Sequence, residues 1–304
     1  MQWIPLLARA AVGTPPAARS EHAAAVVGSR LYVFGGRTAT GLASDLHYYD
    51  IERGEWSGEL SWCEDGPSAR RLAGAAGMGS LLYVFGGESE TVRNDLHVFD
   101  GSRWSGELVA TGDAPAPRSA ASVAGFITTL FVFGGVADDG VRGDLSAFNA
   151  TTREWRALPT GPSPRSSSPF AQIDGLLYVH GGVAGDLVLD DTWVFDARSA
   201  RWTRLADGGP PLARHGLVAD GVLLYALDAD RHFSFVEGKW TDVTRLAAPV
   251  LPRGWATTSY TDGGALVFQV GGEDVAELTV YARIPAHAAD IGGGKVVYRA
   301  ITTT

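Results

Sequence analysis

A tryptophan returns along this chain at Trp3, Trp56, Trp104, Trp155, Trp202 and Trp240, and the same phrase of residues lies between successive tryptophans. The phrase is plainest in 30–50, RLYVFGGRTATGLASDLHYYD, and in 81–100, LLYVFGGESETVRNDLHVFD; it returns in 129–149 as TLFVFGG…DLSAFN and in 176–196 as LLYVHGG…DTWVFD. A repeat of roughly 45–50 residues, made of short β-branched and aromatic runs, cannot bury its apolar faces as a single unit. The copies must stack on one another, and this period with this strand composition points to the blades of a propeller. Function is then expected on the loops.

Each repeat reads as four strands. In the first, 22–27 is a small-residue run, 31–34 is fully apolar, 45–50 alternates and 55–60 carries the tryptophan, with turns at Gly28-Ser29, Gly35-Gly36 and Arg53-Gly54. The glycine pair recurs at Gly86-Gly87, Gly134-Gly135, Gly181-Gly182 and Gly271-Gly272. It follows an apolar run, where only a residue without Cβ tolerates a positive φ or a close backbone approach. The fifth copy lacks the pair, since 223–227 runs into Asp228 and Ala229, yet Phe235 and Trp240 keep the spacing of Phe99 and Trp104. Six units result, one of them degenerate.

A glycine pair after an apolar strand, then an aromatic, then a spaced tryptophan, resembles the kelch repeat over residues 1–281. The resemblance implies an all-β, six-bladed kelch β-propeller with four-stranded antiparallel blades, the first strand lining the central channel and the fourth outermost. Kelch rings often close by mixing strands from both termini. Here 2–7 looks like a tryptophan strand with no earlier strands before it, and the last unit ends at 277–281 with no tryptophan after it. Residues 1–8 are therefore expected to complete the last blade, which would remove two open sheet edges. Residues 282–304 form a C-terminal extension, in which KVVYRAI at 295–301 is either a competing outer strand or a tail packed on the surface.

Composition agrees with one folded domain: 304 residues, 45% hydrophobic and 19% charged, give ample core material. The net charge of −9 argues against nucleic acid or an anionic membrane as principal partner, because both select clustered positive charge. Cys63 stands alone, which excludes a disulfide within the chain and favours a reducing compartment. Without a secretion-signal pattern or an apolar stretch of membrane-spanning length, a cytoplasmic location is expected.

Two registers of polar residues recur in nearly every unit and are read as scaffold. Arg19, Arg70, Arg118, Arg165, Arg214 and Arg253 each end a Pro-containing loop, where a guanidinium can bond loop carbonyls. Asp45, Asp95, Asp144 and Asp191 open the third strand, where a carboxylate can accept turn N–H bonds. His180 replaces the phenylalanine that precedes the glycine pair in three other units and is read as a hydrogen-bonded interior residue.

Specificity is expected where equivalent positions differ. Directly after the repeated arginine stand Ser20, Arg71, Ser119, Ser166, His215 and Gly254, and one residue further Glu21, Leu72, Ala120, Ser167, Gly216 and Trp255. After the glycine pair come Arg37, Glu88, Val136, Val183 and Glu273. The kelch resemblance implies that these loops rim one channel mouth. Arg37, Arg71, Glu21, Ser119, Ser166 and Trp255 would then bind a peptide or protein segment or a small polar ligand: arginine for carboxylate, carboxylate for amine or guanidinium, indole for an apolar or cationic part. The alternative is a stand-alone, metal-independent enzyme of isomerase, lyase or cyclase type acting on a small polar metabolite, with His215, Glu88 and Glu273 as acid–base groups.

No cofactor or metal is expected. Galactose oxidase has similar repeats but seven blades and a copper site with a cysteine-crosslinked tyrosine, which one cysteine and six units do not match. The iron-ligand spacing of plant nitrile-specifier proteins falls here on Asp186, Asp190 and Val194, without the histidine. Sialic acid mutarotases are six-bladed kelch proteins that need no metal, but they are typically exported and no signal pattern is read here, and their sugar chemistry is not carried over residue by residue.

Overall fold

The repeated phrase folds as an antiparallel meander, because each short apolar run is bounded by a turn and pairs with the next. The computed structural model describes residues 3–5, 13–60, 65–206, 208–219, 224–228, 231–244, 256–261, 265–270 and 278–283. In the first blade Ala23–Val27 pairs with Arg30–Thr38, which pairs with Gly41–Asp50 and then with Glu55–Trp56. The second is Gly74–Met78, Leu81–Glu88, Val92–Phe99 and Trp104–Glu107; the third is Ser122–Phe126, Thr129–Phe133, Leu145–Asn149 and Glu154–Leu158. The fourth is Phe170–Ile173, Leu176–His180, Thr192–Asp196 and Arg201–Ala206; the fifth is Gly216–Ala219, Leu224–Leu227, His232–Val236 and Lys239–Asp242. The chain is thus all-β and propeller-like, with five such blades and no α-helix among the described residues. A further sheet joins Ala256–Thr261, Ala265–Val270 and Leu278–Arg283, and Trp3–Pro5 pairs antiparallel with the last of these, Trp3 opposite Arg283 and Pro5 opposite Tyr281. The 295–301 segment lies outside the described residues.

Two strands differ from expectation. The apolar 31–34 run continues through the glycine pair to Thr38 and turns back at Gly41, so the loop expected there is a hairpin standing above the sheet. The tryptophan strand of the first blade, expected over 55–60, is regular only at Glu55–Trp56. Beyond it the chain still follows its neighbour, Ser57 N–H donating to Tyr48 at 2.9 Å and Leu60 N–H to Leu46 at 3.0 Å, but Gly58 at φ 71° bulges it out of register.

The tryptophan repeat is explained by packing between blades. In the five described blades each indole lies on the third-strand aromatic of its own blade, as Trp104 on Phe99 at 5.3 Å, Trp155 on Phe148 at 5.1 Å and Trp202 on Phe195 at 5.2 Å. From the second blade to the fifth it also meets the residue before the glycine pair of the preceding blade: Phe34–Trp104 at 5.7 Å, Phe85–Trp155 at 5.6 Å, Phe133–Trp202 at 5.3 Å and His180–Trp240 at 4.4 Å. The core is therefore not inside a blade but in the seams between blades, where such rings dominate the burial.

Near the channel the inner strands of the first three blades are rich in alanine and glycine, because their backbones converge: a Cβ on Gly77 would collide with the Val26 carbonyl. The glycine pairs hold the tightest seam. Gly36 donates to the carbonyl of Arg70 at 2.8 Å, Gly87 to Arg118 at 3.0 Å, Gly135 to Arg165 at 2.9 Å and Gly182 to Leu212 at 2.8 Å, each across a blade boundary. Gly135 has φ 97°, and a Cβ there would stand 2.7 Å from the Ser119 carbonyl oxygen. Gly135→Val is accordingly expected to cost about 1–3 kcal/mol in backbone strain alone, more once the seam opens. Thermal unfolding checks it; an unchanged melting temperature would mean that the position carries no backbone constraint.

Candidate functional site

The two scaffold registers turn out to be halves of one device. Arg19 reaches both carboxylate oxygens of Asp45 at 2.6 and 2.7 Å, Arg70 those of Asp95 at 2.6 and 2.8 Å, Arg118 those of Asp144 at 2.9 and 2.8 Å, and Arg165 those of Asp191 at 2.6 and 2.9 Å. The same guanidinium donates to the first glycine carbonyl of its own blade, Gly35, Gly86, Gly134 or Gly181, and through Nε to a loop carbonyl two residues back. The loop-carbonyl role of these four arginines holds. The aspartates are corrected: they chiefly receive the arginine fork, a geometry that suits a planar guanidinium better than turn amides. Their burial pushes the carboxyl pKa up, but the arginine hydrogen bonds and charge outweigh it and hold Asp45, Asp95, Asp144 and Asp191 below the usual carboxylate range, His47, His97 and Trp193 adding a further bond to the first, second and fourth.

The fifth blade departs from the sequence alignment. Gly182 N–H bonds the carbonyl of Leu212, as Gly135 bonds Arg165, so Leu212 and not Arg214 holds the place of the repeated arginine. Arg231 stands where the aspartate would be, so both members of the ion pair are replaced together. Arg214 falls instead into the next ring: Leu72 donates to Glu21 at 2.8 Å, Ala120 to Leu72 at 2.9 Å, Ser167 to Ala120 at 3.2 Å and Arg214 to Ser167 at 3.0 Å. All five have φ between 52° and 59°, a left-handed conformation rare for non-glycine residues that this belt of hydrogen bonds holds in place. Arg253 lies outside the described residues.

Above the belt, the residue after each arginine pairs with the residue after each glycine pair: Ser20 with Arg37, Arg71 with Glu88, Ser119 with Val136, Ser166 with Val183. The structure thus brings together the two loop sets singled out from sequence in the first four blades. Their side chains join across blades. Arg37 lies 3.7 Å from Glu21, Arg71 2.8 Å from Glu21 and 2.5 Å from Glu88, and Ser119 Oγ donates to Glu88 at 2.6 Å. Arg37 is half exposed at the free end of this chain. Ser166 lies in the same register but outside the chain of contacts, and Trp255 and Glu273 fall outside the described residues.

His215 is not a rim residue. The two-residue shift in the fifth blade places it below the belt, equivalent to His22 in the first, and both line a cavity of about 180 Å³ on the channel together with Glu21, Arg214, Ser122 and Ser168. Its ring is buried and meets His180 edge-on at 5.5 Å; no hydrogen bond joins it to Glu88. Burial, with the neighbouring His180, lowers its pKa well below 6.5, so the neutral-pH titration expected of an acid–base histidine is displaced. His22 is pushed down to about 3 by burial and then by Arg19. His180 is an interior residue as expected: Trp240 Nε1 donates to Thr192 Oγ1, which faces His180 Nδ1 at 3.0 Å, while Nε2 meets the Pro210 carbonyl at 2.9 Å. Among the described residues no group of three or more His, Cys, Asp or Glu side chains is gathered for a metal.

Sequence reasoning missed His22, Arg214 and Ser168 as cavity-lining residues. Its signal misled in one place, since Pro211 precedes Arg214 by the same three residues that separate Pro67 from Arg70 and Pro162 from Arg165.

These shifts fix the sign of the pH response. A buried histidine whose folded pKa is depressed binds fewer protons folded than unfolded, so its contribution is whole above pH 6.5 and lost as pH falls through the folded value. The aspartate contributions are whole above 3.8 and lost as pH falls below it, so both act in the same direction. Denaturant midpoints should fall on acidification from about pH 6.5, with a slope approaching 1.4 kcal/mol per pH unit for each such histidine. His215→Gln should flatten that slope; an unaltered profile would mean that His215 is protonated in the folded chain.

The KLHDC2/KLHL20/DRC7 Kelch-repeats domain model matches this chain three times, over residues 1–106, 64–227 and 102–272. Kelch domain-containing protein 1 of Mus musculus is 37% identical over 76 residues, 25% of this chain and 19% of that protein. The tRNA wybutosine-synthesizing protein 2/3/4 of Arabidopsis thaliana is 35% identical over 92 residues, 30% of this chain and 9% of that protein. The host cell factor homolog hcf-1 of Caenorhabditis elegans is 32% identical over 93 residues, 30% of this chain and 12% of that protein. In each, the matched segment is a small part of a longer relative.

Proposed function

Since the chain belongs to the kelch-repeat family, we propose that it is a recognition module whose channel mouth binds a segment of another protein. The observation that carries this reading is the chain Arg37–Glu21–Arg71–Glu88–Ser119, which spans three successive blades. Its members sit at equivalent places in the repeat yet differ from blade to blade, as a surface shaped for one partner requires. Kelch relatives support a protein-interaction role in general terms. The metabolite-enzyme reading has less behind it, because Glu88 is engaged by Arg71 and Ser119 and His215 contacts no carboxylate among the described residues.

In the same proposal the ring has six blades and residues 1–8 complete the last. The pairing of Trp3–Pro5 with Leu278–Arg283 supports it. Deleting residues 1–8 should then lower the unfolding midpoint far more than removing eight surface residues would, since an opened ring exposes two sheet edges. A deletion variant as stable as the full chain would rule closure out.

A random peptide library selected on the folded protein tests the mouth. Wild type should enrich a consensus, Arg71→Ala should weaken binding of the enriched peptide at least about tenfold, and its stability should change by less than about 1 kcal/mol, because the side chain is partly exposed. Arg165→Ala should do the reverse, leaving Asp191 buried without its cation at a cost of about 3–5 kcal/mol. Enrichment indifferent to Arg71 would place recognition elsewhere.

A further inference from the structure

Below the mouth, the channel cavity has features that the scaffold does not use. Most inner-strand positions facing it are small: Ala73, Gly74, Ala121 and their neighbours form one wall. The equivalent position in the first and fifth blades is a histidine. His22 and His215 are 5% and 6% exposed, and none of their four ring nitrogens has a hydrogen-bond partner among the described residues. Leaving such groups unpaired costs about 1–3 kcal/mol each, and both rings border the cavity, where rotation of a ring would present a nitrogen to an occupant. Histidine is not needed for packing at this position, since Ala73, Ala121 and Ser168 serve the same place in the other blades.

We propose that this cavity is a binding site for a neutral, multiply hydroxylated small molecule, of the size of a monosaccharide or a cyclitol, distinct from the protein-binding mouth above it. Volume sets the size: about 180 Å³ equals roughly six waters and lies below the roughly 300 Å³ at which drug-sized ligands begin. Hydroxyls match the walls. A neutral imidazole offers one N–H donor and one acceptor nitrogen, and a hydroxyl group can answer either. Ser168 and Ser122 spend their protons on the backbone carbonyls of His180 and Ser168, which leaves their oxygens as acceptors for further hydroxyls. Charge selects neutrality. Among the described residues no carboxylate contacts either imidazole to balance a protonated ring, and the acid and base that line the cavity are Glu21, which also pairs with Arg71, and Arg214. The competing occupant is an anion drawn to Arg214.

Ligand-observed NMR with glucose and myo-inositol, and with glucuronate and glucosamine as charged counterparts of similar size, tests this. At least one neutral probe should bind wild type, bind His215→Phe at least about tenfold more weakly, and fail to bind Ala121→Leu, which fills the cavity. Melting curves establish that each variant is folded, and should His215→Phe not fold, Ala121→Leu and the milder His22→Gln decide. No binding of either neutral probe at ~10 mM overturns the proposal. So does tighter binding of glucuronate or glucosamine, or binding that survives Ala121→Leu. Failure here leaves the peptide selection at the mouth untouched.

Discussion

The fold depends on a guanidinium that has no contact with water. Arg70, Arg118 and Arg165 are at most 1% exposed, and each ties four things at once: its own loop, the first glycine carbonyl, an aspartate at the start of the third strand and, through its backbone carbonyl, the second glycine of the preceding blade. An arginine can do this because its five donors lie in a fixed plane; a lysine could not match two carboxylate oxygens and a carbonyl from one point. Burying such a charge is costly unless its donors are used, and here a bidentate carboxylate and two carbonyls use four, while in Arg70 and Arg165 the hydroxyl of Ser68 or Ser163 accepts from the fifth. The glycine pair is the steric counterpart of the fork. Its positive φ turns the carbonyl toward the guanidinium and the amide toward the next blade, which explains why both glycines recur with the arginine.

Around that constraint the blades are joined twice, by backbone near the channel and by rings farther out. The belt through Glu21, Leu72, Ala120, Ser167 and Arg214 links peptide groups alone, so it places no demand on side-chain identity. This frees the side chains to differ, and they do: an acid, a leucine, an alanine, a serine and an arginine occupy one ring. Scaffold and specificity are thus carried by different atoms of the same residues. Single changes at the mouth can alter recognition without loosening the ring, provided that the substituted residue accepts a left-handed backbone.

Periodic features were legible in the sequence for that reason. The glycine pairs, the tryptophans and the strand order follow from backbone geometry and seam packing, which every copy must satisfy. Juxtaposition of the two loop sets was expected from the kelch resemblance, and in the first four blades the backbone pairs them. What could not be read was which side chains meet. That Arg71 spans Glu21 and Glu88 depends on neighbouring blades standing a few ångströms apart at the rim, and no spacing within one repeat encodes it. The arginine–aspartate fork was hidden in another way: both residues were recognised, but about 25 residues of intervening chain separate partners that only the closed blade brings together.

The fifth blade shows how one signal could have corrected another. Proline spacing assigns Arg214 to the fork, but a buried guanidinium without a carboxylate is untenable, and Arg231 stands where that carboxylate should be. Pairing logic therefore outranks loop spacing: if the acid is missing, the base must be missing too, and Leu212 is buried in its place. Loss of the glycine pair at Asp228 and Ala229 belongs to the same event, since without a fork there is no guanidinium for a glycine carbonyl to meet. The two-residue shift then carries His215 from the rim to the cavity wall and brings Arg214 to the belt. The symmetry lost from the scaffold in this blade thus reappears as asymmetry in the seam between the fourth and fifth blades, where His180 meets His215 and Trp240 in place of the phenylalanine of the other seams.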